Sequence, residues 1–309
     1  MQGLVTLTVA AQSAGERLDR FLAAHTPSRA QAQRQIEAGA VWVDGRPGRA
    51  AERLRAGQHV AWSPVARPPS ALVAEDIPLV VLHEDEHVVV IDKPAGLVVH
   101  PAAGHATGTL VHALLGRAHG GEAMRPGIVH RLDKGTSGVL VVAKSDLAFA
   151  RLGAQFREHT VLRRYLAIVV GAPAASSGEM RTLYGRHPTQ RKKFSSRVRA
   201  GKPAATLWRV IERLAGGAAA LVEARLETGR THQVRVHFAD AGHPLLGDPI
   251  YARAPRDQRL RAIAAELARP ALHAASLAFL HPATGERMAF EAEPPADFLR
   301  ALESLRRLV

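Results

Sequence analysis

The 309-residue chain contains no cysteine, which excludes disulfides, thiolate-ligated zinc and thiol catalysis together. It has no apolar run near the roughly 18 residues that a membrane span needs. The first ten residues alternate apolar with small polar side chains and lack a basic start, so they read as a strand, not a signal peptide. A cytoplasmic location without membrane attachment is the expectation. Neither GxGxxG after a strand nor GxxxxGKS/T occurs, which removes the common nucleotide-binding loops. Metal-ligand spacing is also missing. His232 and His237 are five apart, so the HExxH pattern fails, and His100, His105 and His112 lie on differing elements without an acidic pair. No cofactor and no metal are expected.

Acid is the next shortage. Formal net charge is +13, an excess that favours a polyanionic partner without distinguishing nucleic acid from a membrane surface. Between Arg181 and Arg209 there are nine basic residues and no Asp or Glu. Tyr184, Phe194 and several Gly, Pro and Ser residues interleave them, which reads as a flexible basic hairpin that tracks phosphates and offers a stacking face. Arg191, Lys192 and Lys193 are its RNA-contacting candidates.

What is present is ample apolar content, 47% of the chain, enough for a proper core. Residues 1–62 read as a small separate unit. Leu18, Phe21 and Leu22 fall at helical spacing within 16–25. Ser28 is placed to cap a second helix that runs to about Ala38 and ends at Gly39. Arg29 and Arg34 on that helix are further RNA-binding candidates. Strands follow at 41–45 and 58–62. Residues 63–76, opening with SPVARPPS, read as a linker. In 77–309 strands are expected at 88–92, 138–144, 165–170, 207–213, 219–227, 273–280 and 288–293. Helices are expected at 109–117, 146–158, 231–241, 256–268 and 295–308. Without a regular βαβ alternation, this is an α+β domain around a mixed, largely antiparallel sheet.

Two clusters carry the polar chemistry. HRLDKGTSG (130–138) stands immediately before an apolar strand, a position from which a rigid scaffold presents reactive groups. Its Ser137 is no nucleophile, because GTSG is not the GxSxG elbow and no strand precedes it. LETGRTHQVRVH (226–237) ends a strand, turns at Gly229 and opens a helix near Thr231, which sets Arg230 beside a helix N-terminus.

Taken with DKPAGLVVHP (92–101), RYLA (164–167), GHPLLGDPIY (242–251) and LHA with HPATGE (272–286), these motifs resemble the RluA/RluD-type pseudouridine synthases, in that family's order. Residues 1–62 resemble an S4 domain, a small RNA-binding module. RHPTQRKKF followed by GKPA is most similar to the RluD branch, which modifies a large-subunit rRNA stem-loop. The resemblance implies a pseudouridine synthase fold and isomerisation of uridine in 23S ribosomal RNA by a monomer acting on the RNA or the large subunit. It implies that Asp133 is the catalytic carboxylate and that His130 and Arg131 help extrude the target nucleotide. Tyr165 would pack on the flipped base and has been proposed as a proton acceptor. Arg230 would pair with Asp133 and keep it ionised.

Breaking an N–C glycosidic bond, turning the base and forming a C–C bond changes no oxidation state and imports no group. The missing cofactor motifs agree with that chemistry. The nucleotide must be flipped out, its place filled by Arg131 and its base stacked on Tyr165. Whether Asp133 attacks C1′ or removes the C2′ proton is open, as is transfer RNA as the target. A non-enzymatic RNA-binding or assembly factor on a retired fold is the competing reading. Arg131, Asp133, Tyr165 and Arg230 occurring together argue against it. One departure stands out: the family reads DKDTSG where this chain has Gly135, and the glycine is expected to loosen the loop.

Overall fold

The computed structural model describes residues 4–26, 29–63, 72–102, 104–120, 125–190 and 193–308, with the backbone alone at Arg29, Ala30, Gln31 and Arg34. The chain divides into two units, Met1–Pro69 and Ser70–Val309. The linker expected over 63–76 falls largely outside the described residues, as does the capping Ser28.

The smaller unit contains β1 (Val5–Thr8), α1 (Leu18–Ala23), α2 (Arg29–Glu37), β2 (Val41–Val43), β3 (Arg46–Pro47) and β4 (His59–Trp62). Its four strands form one sheet in the order β1-β4-β2-β3. Leu18, Phe21 and Leu22 share one side of α1 and are buried against Val41, Val43, Val60 and Trp62. Beyond α2, Gly39 takes φ 69°. Its N–H reaches Ile36 O and that of Ala40 reaches Gln35 O, which satisfies carbonyls the helix leaves open.

The larger unit runs β5 (Val80–Glu84), β6 (Val88–Lys93), α3 (Leu110–Ala113), β7 (Ser137–Ala143), α4 (Asp146–Arg157), β8 (Leu162–Val170), β9 (Ser177–Arg186), β10 (Phe194–Ser195), β11 (Lys202–Leu214), β12 (Ala219–Leu226), α5 (Gln233–Asp240), α6 (Gln258–Leu267), β13 (Leu272–Leu280), β14 (Arg287–Glu291) and α7 (Ala296–Arg306). Its ten strands share a sheet in the order β10-β9-β11-β12-β8-β13-β7-β6-β5, with β14 also on β13. β7 and β13 run parallel and the other pairs antiparallel. The expected α+β class with a mixed, largely antiparallel sheet is therefore the one observed.

β6 and β7 read as continuous apolar runs because both faces of the sheet are covered there. Val89, Ile91, Leu140 and Val142 face a core with Leu110 and Phe238. Val88, Val90, Val139 and Val141 face Ala148 and Leu152 of α4. Gly138, the second residue of β7, has φ +111°, and a Cβ there would lie 2.2 Å from Ala274 O on β13. Only glycine lets the backbone that follows the HRLD loop come so close to its parallel neighbour.

Three expectations change. The helix over 109–117 closes after Ala113. β5 and β9 lie where no strand was expected. The basic stretch is not a flexible hairpin throughout, since 181–186 belong to β9 and 202–209 to β11, paired in register from Lys202–Tyr184 to Arg209–Ser177. The acids missing from it in sequence arrive through space. Arg181 is paired with Glu179 and Glu227, and Arg209 with Glu223.

Candidate active site

A cavity of ≈ 930 Å³ opens beside the centre of the large sheet, lined among others by His130, Arg131, Asp133, Tyr165, Arg230 and His232. Four stretches deliver these side chains: the loop before β7, strand β8, the turn between β12 and α5, and α4. Leu132 is buried and pins the first of them. Thr136 N–H donates to Asp133 O at 3.0 Å, and Gly96 N–H to Lys134 O at 2.7 Å. Lys93, fully buried, donates to the carbonyls of Pro94 and Leu97 at 2.8 and 2.9 Å and so fixes the strand end that carries Gly96. Burial pushes its ammonium down to about 7 against the pull of Asp133.

The turn between β12 and α5 is stitched by Gln233. Its side-chain oxygen accepts from Thr228 Oγ1 and Arg230 N, and its amide donates to Ala205 O and Thr206 Oγ1, at 2.7–3.0 Å. His232 precedes α5 in the left-handed region, φ 61°, so the helix begins at Gln233 and not at Thr231. Arg235 consequently lies in the first turn of α5 and points inward.

Arg235 sits between two carboxylates. Nη1 donates to Asp133 Oδ2 at 3.0 Å, while Nε and Nη2 grip Asp248 at 2.7 and 2.9 Å. Burial opposes its charge, but Asp248 and Asp133 outweigh burial and hold the guanidinium above its ordinary pKa. Burial likewise pushes the Asp248 carboxyl up, and Arg235 more than reverses it. Arg230, by contrast, donates from Nε to Pro203 O at 3.0 Å and is half-buried. The expected partner of Asp133 was Arg230; the arginine that pairs with it is Arg235. The motif offers both, and the later onset of α5 turns only the second toward the carboxylate.

Tyr165 is buried in β8 with its ring in the core that lines the cavity. Burial pushes its phenol above the ordinary range, with Arg163 opposing. His130 stacks on Phe156, with centroids 4.5 Å apart, and its Nε2 accepts from Val141 N at 3.1 Å. Burial, helped by the Arg163 charge, lowers it to about 3, so the ring is neutral and Nδ1 carries its proton. Its contacts anchor the loop to β7 and α4, where the expectation was help in nucleotide extrusion. Arg131 is exposed at the mouth. Beside Tyr165, Thr136 Oγ1 and Arg163 Nε are buried without a hydrogen-bond partner, polar capacity held next to the cavity.

The sequence profile of RNA pseudouridylate synthases matches residues 87–240, and that of the S4 domain residues 16–60. Ribosomal large subunit pseudouridine synthase D of Pseudomonas aeruginosa is 44% identical over 301 residues, 95% of this chain and 93% of that protein. The protein so named from Xanthomonas campestris is 45% identical over 302 residues, 95% and 90% of the two chains. The chain belongs to the RNA pseudouridylate synthase family. Human RNA Pseudouridylate Synthase Domain Containing 4 superposes on this synthase with TM-score 0.54 at 29% identity, over 74% of this chain and 93% of that one.

Several groups at or behind this cavity escaped the sequence reading: Arg235, His232, Asp248, Tyr251 and Arg163. GHPLLGDPIY had already been noticed as a motif without a role for its Asp248 and Tyr251, and that motif was the available signal. Of the basic candidates, Lys193 closes a turn, its carbonyl accepting from His187 N and its N–H donating to Gln190 O. Arg191 and Lys192 lie outside the described residues, and so do the side chains of Arg29 and Arg34. Gly135 does not loosen its loop. Arg269 donates to Gly135 O at 3.1 Å, and a Cβ at Gly135 would meet Pro270 Cδ at 2.9 Å.

Proposed function

We propose that Asp133 is the catalytic carboxylate of this synthase and that its substrate is uridine in large-subunit (23S) ribosomal RNA. The observation that carries the reading is the Asp133 carboxylate, 15% exposed, held 3.0 Å from Arg235 on the wall of a cavity that also contains Tyr165. The N1–C1′ bond breaks, uracil turns within the cavity, C5–C1′ forms, and the proton lost from C5 is balanced by one gained at N1. Attack on C1′ and removal of the C2′ proton both start from a carboxylate beside the ribose, and the Arg235 guanidinium holds that carboxylate in place through Oδ2.

The cavity, ≈ 930 Å³, is large enough for an extruded nucleotide, which supports base flipping. Tyr165, kept protonated by burial, serves as a packing face for the base and not as an ionised proton acceptor at neutral pH. Arg131, exposed at the mouth, is free to enter the vacated stack. Arg230 lines the rim and contacts the RNA backbone. The rRNA target rests on the two large-subunit relatives and on the S4 unit, and it implies a cytoplasmic protein. No helix among the described residues is long and apolar enough to cross a membrane.

The test is to incubate the protein, without added cofactor, with unmodified 23S rRNA and to map pseudouridine by chemical adduct and primer extension. New pseudouridine from the wild type and none from Asp133→Ala or Asp133→Asn, with RNA binding retained, is expected. Turnover by Asp133→Asn within about tenfold of wild type, about 1.4 kcal/mol in the barrier, removes Asp133 from the chemistry. Product on transfer RNA alone would move the target.

A further inference from the structure

The two oxygens of Asp133 are addressed by different groups. Oδ2 accepts from Arg235, and Oδ1 faces His232 Nε2 at 3.8 Å. Both groups are rooted in one turn. Asp248, which grips Arg235, also accepts from the backbone N–H groups of Ile250 and Tyr251 through Oδ1 at 2.9 and 3.1 Å. The Tyr251 hydroxyl then meets His232 Nδ1 at 2.9 Å. That hydroxyl oxygen also accepts from Phe194 N at 3.0 Å, at the far end of the β9–β11 hairpin. The Phe194 ring stacks on Tyr184 and stands edge-on to His232, with centroids 5.7 and 6.0 Å away.

This arrangement fixes which nitrogen of His232 carries the proton. Burial raises the Tyr251 phenol and lowers the His232 imidazole, with Asp133 opposing in the second case, so at neutral pH the phenol keeps its proton and the imidazole has one. A carboxylate faces Nε2 and favours the proton on that nitrogen, which leaves Nδ1 to accept from the Tyr251 hydroxyl, whose oxygen takes the Phe194 N–H. The imidazole proton then lies on Nε2, facing the Asp133 carboxylate. The 3.8 Å separation is just beyond hydrogen-bonding reach. Oδ1 is thereby oriented without being blocked, and it remains the oxygen available to a ribose.

We propose that His232, set by the Tyr251 hydroxyl and the Phe194 amide, is a positioning residue that orients the Asp133 carboxylate. The proposal rests on Asp133 being the catalytic carboxylate. It explains why the residue before α5 is a histidine in the left-handed region. The left-handed backbone at this one residue sets the imidazole toward Oδ1, while Arg235 in the first turn of the helix takes Oδ2.

Two substitutions at one position separate positioning from backbone accommodation. In His232→Gln the side-chain amide N–H occupies the place of Nε2. In His232→Asn it occupies that of Nδ1 and does not reach Asp133. Asparagine is the better tolerated of the two in the left-handed region, so a purely structural role predicts that Asn outperforms Gln. Positioning predicts the reverse. With an unmodified full-length large-subunit rRNA transcript as substrate, His232→Asn should lower kcat about 10²-fold with KM nearly unchanged. His232→Gln should recover most of that loss, and Tyr251→Phe should lower kcat about tenfold.

Asn equal to or better than Gln, or a loss confined to KM, overturns the proposal. Should both His232 variants fail to melt cooperatively, Tyr251→Phe decides: a wild-type kcat overturns the proposal and a lowered one supports it. Asp133→Asn in the same assay keeps the two readings apart, since activity there would dismiss Asp133 itself whatever His232 does.

Discussion

Two arginine–carboxylate pairings in the large unit use the same groups in opposite settings. Arg235 is 5% exposed and bridges Asp133 and Asp248, the latter fully buried. Arg181 is 54% exposed and makes equally short contacts, 2.7 and 2.8 Å, with Glu227 and 3.1 Å with Glu179. Bond lengths do not distinguish them. Burial does, because removing one partner of the inner set strands a charge away from water, while water replaces a lost partner at the surface. Short contacts in the basic hairpin therefore say little about stability, and those around Asp133 say much.

The largest effect should come from breaking the inner set at its far end. Asp248→Asn leaves Arg235 with one carboxylate and loosens the Tyr251 turn. The expected cost is about 3–5 kcal/mol of stability, read as a fall in the urea midpoint, together with loss of pseudouridine formation although Asp248 does not line the cavity. A midpoint near wild type would show that the triad is not held by its burial.

Lys93 sharpens the contrast, being a buried cation whose hydrogen bonds go to carbonyls. Its folded pKa, about 7, lies below its ordinary value of 10.5, so between those pH values the unfolded chain binds more protons than the folded one. Stability therefore rises with pH across that window, by at most about 1.4 kcal/mol per unit, and the dependence ends below the folded pKa. Lys93→Met should flatten the increase in stability expected of wild type from about pH 7 to about pH 9. Parallel curves for the two proteins would place the ammonium in water.

The smallest effect belongs to the surface. Arg181→Ala should leave the melting temperature unchanged within error. Raising salt from about 0.1 M to about 1 M, which shortens the screening length from about 10 Å to about 3 Å, should weaken RNA binding in both proteins alike. A clear drop in melting temperature would make the outer pair structural and close the gap between the two settings.

Much of the sheet was legible because burial imposes a pattern on composition. The valine runs of β6 and β7 announce strands covered on both faces, and the spacing of α4 and α7 announces their buried sides. β9 was not legible. Its residues are mostly exposed or half-exposed, so nothing apolar alternates strongly enough to mark it, and one of the acids that pair with its Arg181, Glu227, lies far along the chain. Within the site, Asp133 and Tyr165 were found from their motifs, whereas Arg235 was passed over for Arg230. The choice between them depends on where α5 begins, and that is set by the left-handed His232, which no periodicity reports. Gly135 was misread for a similar reason: the packing of Pro270 and the bond from Arg269 come from a segment more than a hundred residues later in the chain.

The place of β13 in the sheet bears on when the protein becomes an enzyme. β13 lies between β7 and β8, so β5–β7 and β8–β12 share no edge until residues 272–280 arrive. Ser137 Oγ and His273 Nδ1, 3.0 Å apart, mark the join just beside the loop that carries Asp133. Asp133 comes from one half of the sheet, Tyr165 and Arg235 from the other. Until this strand is in place, the chain holds the two sides of the cavity without joining them, so the cavity is among the last features of the unit to form.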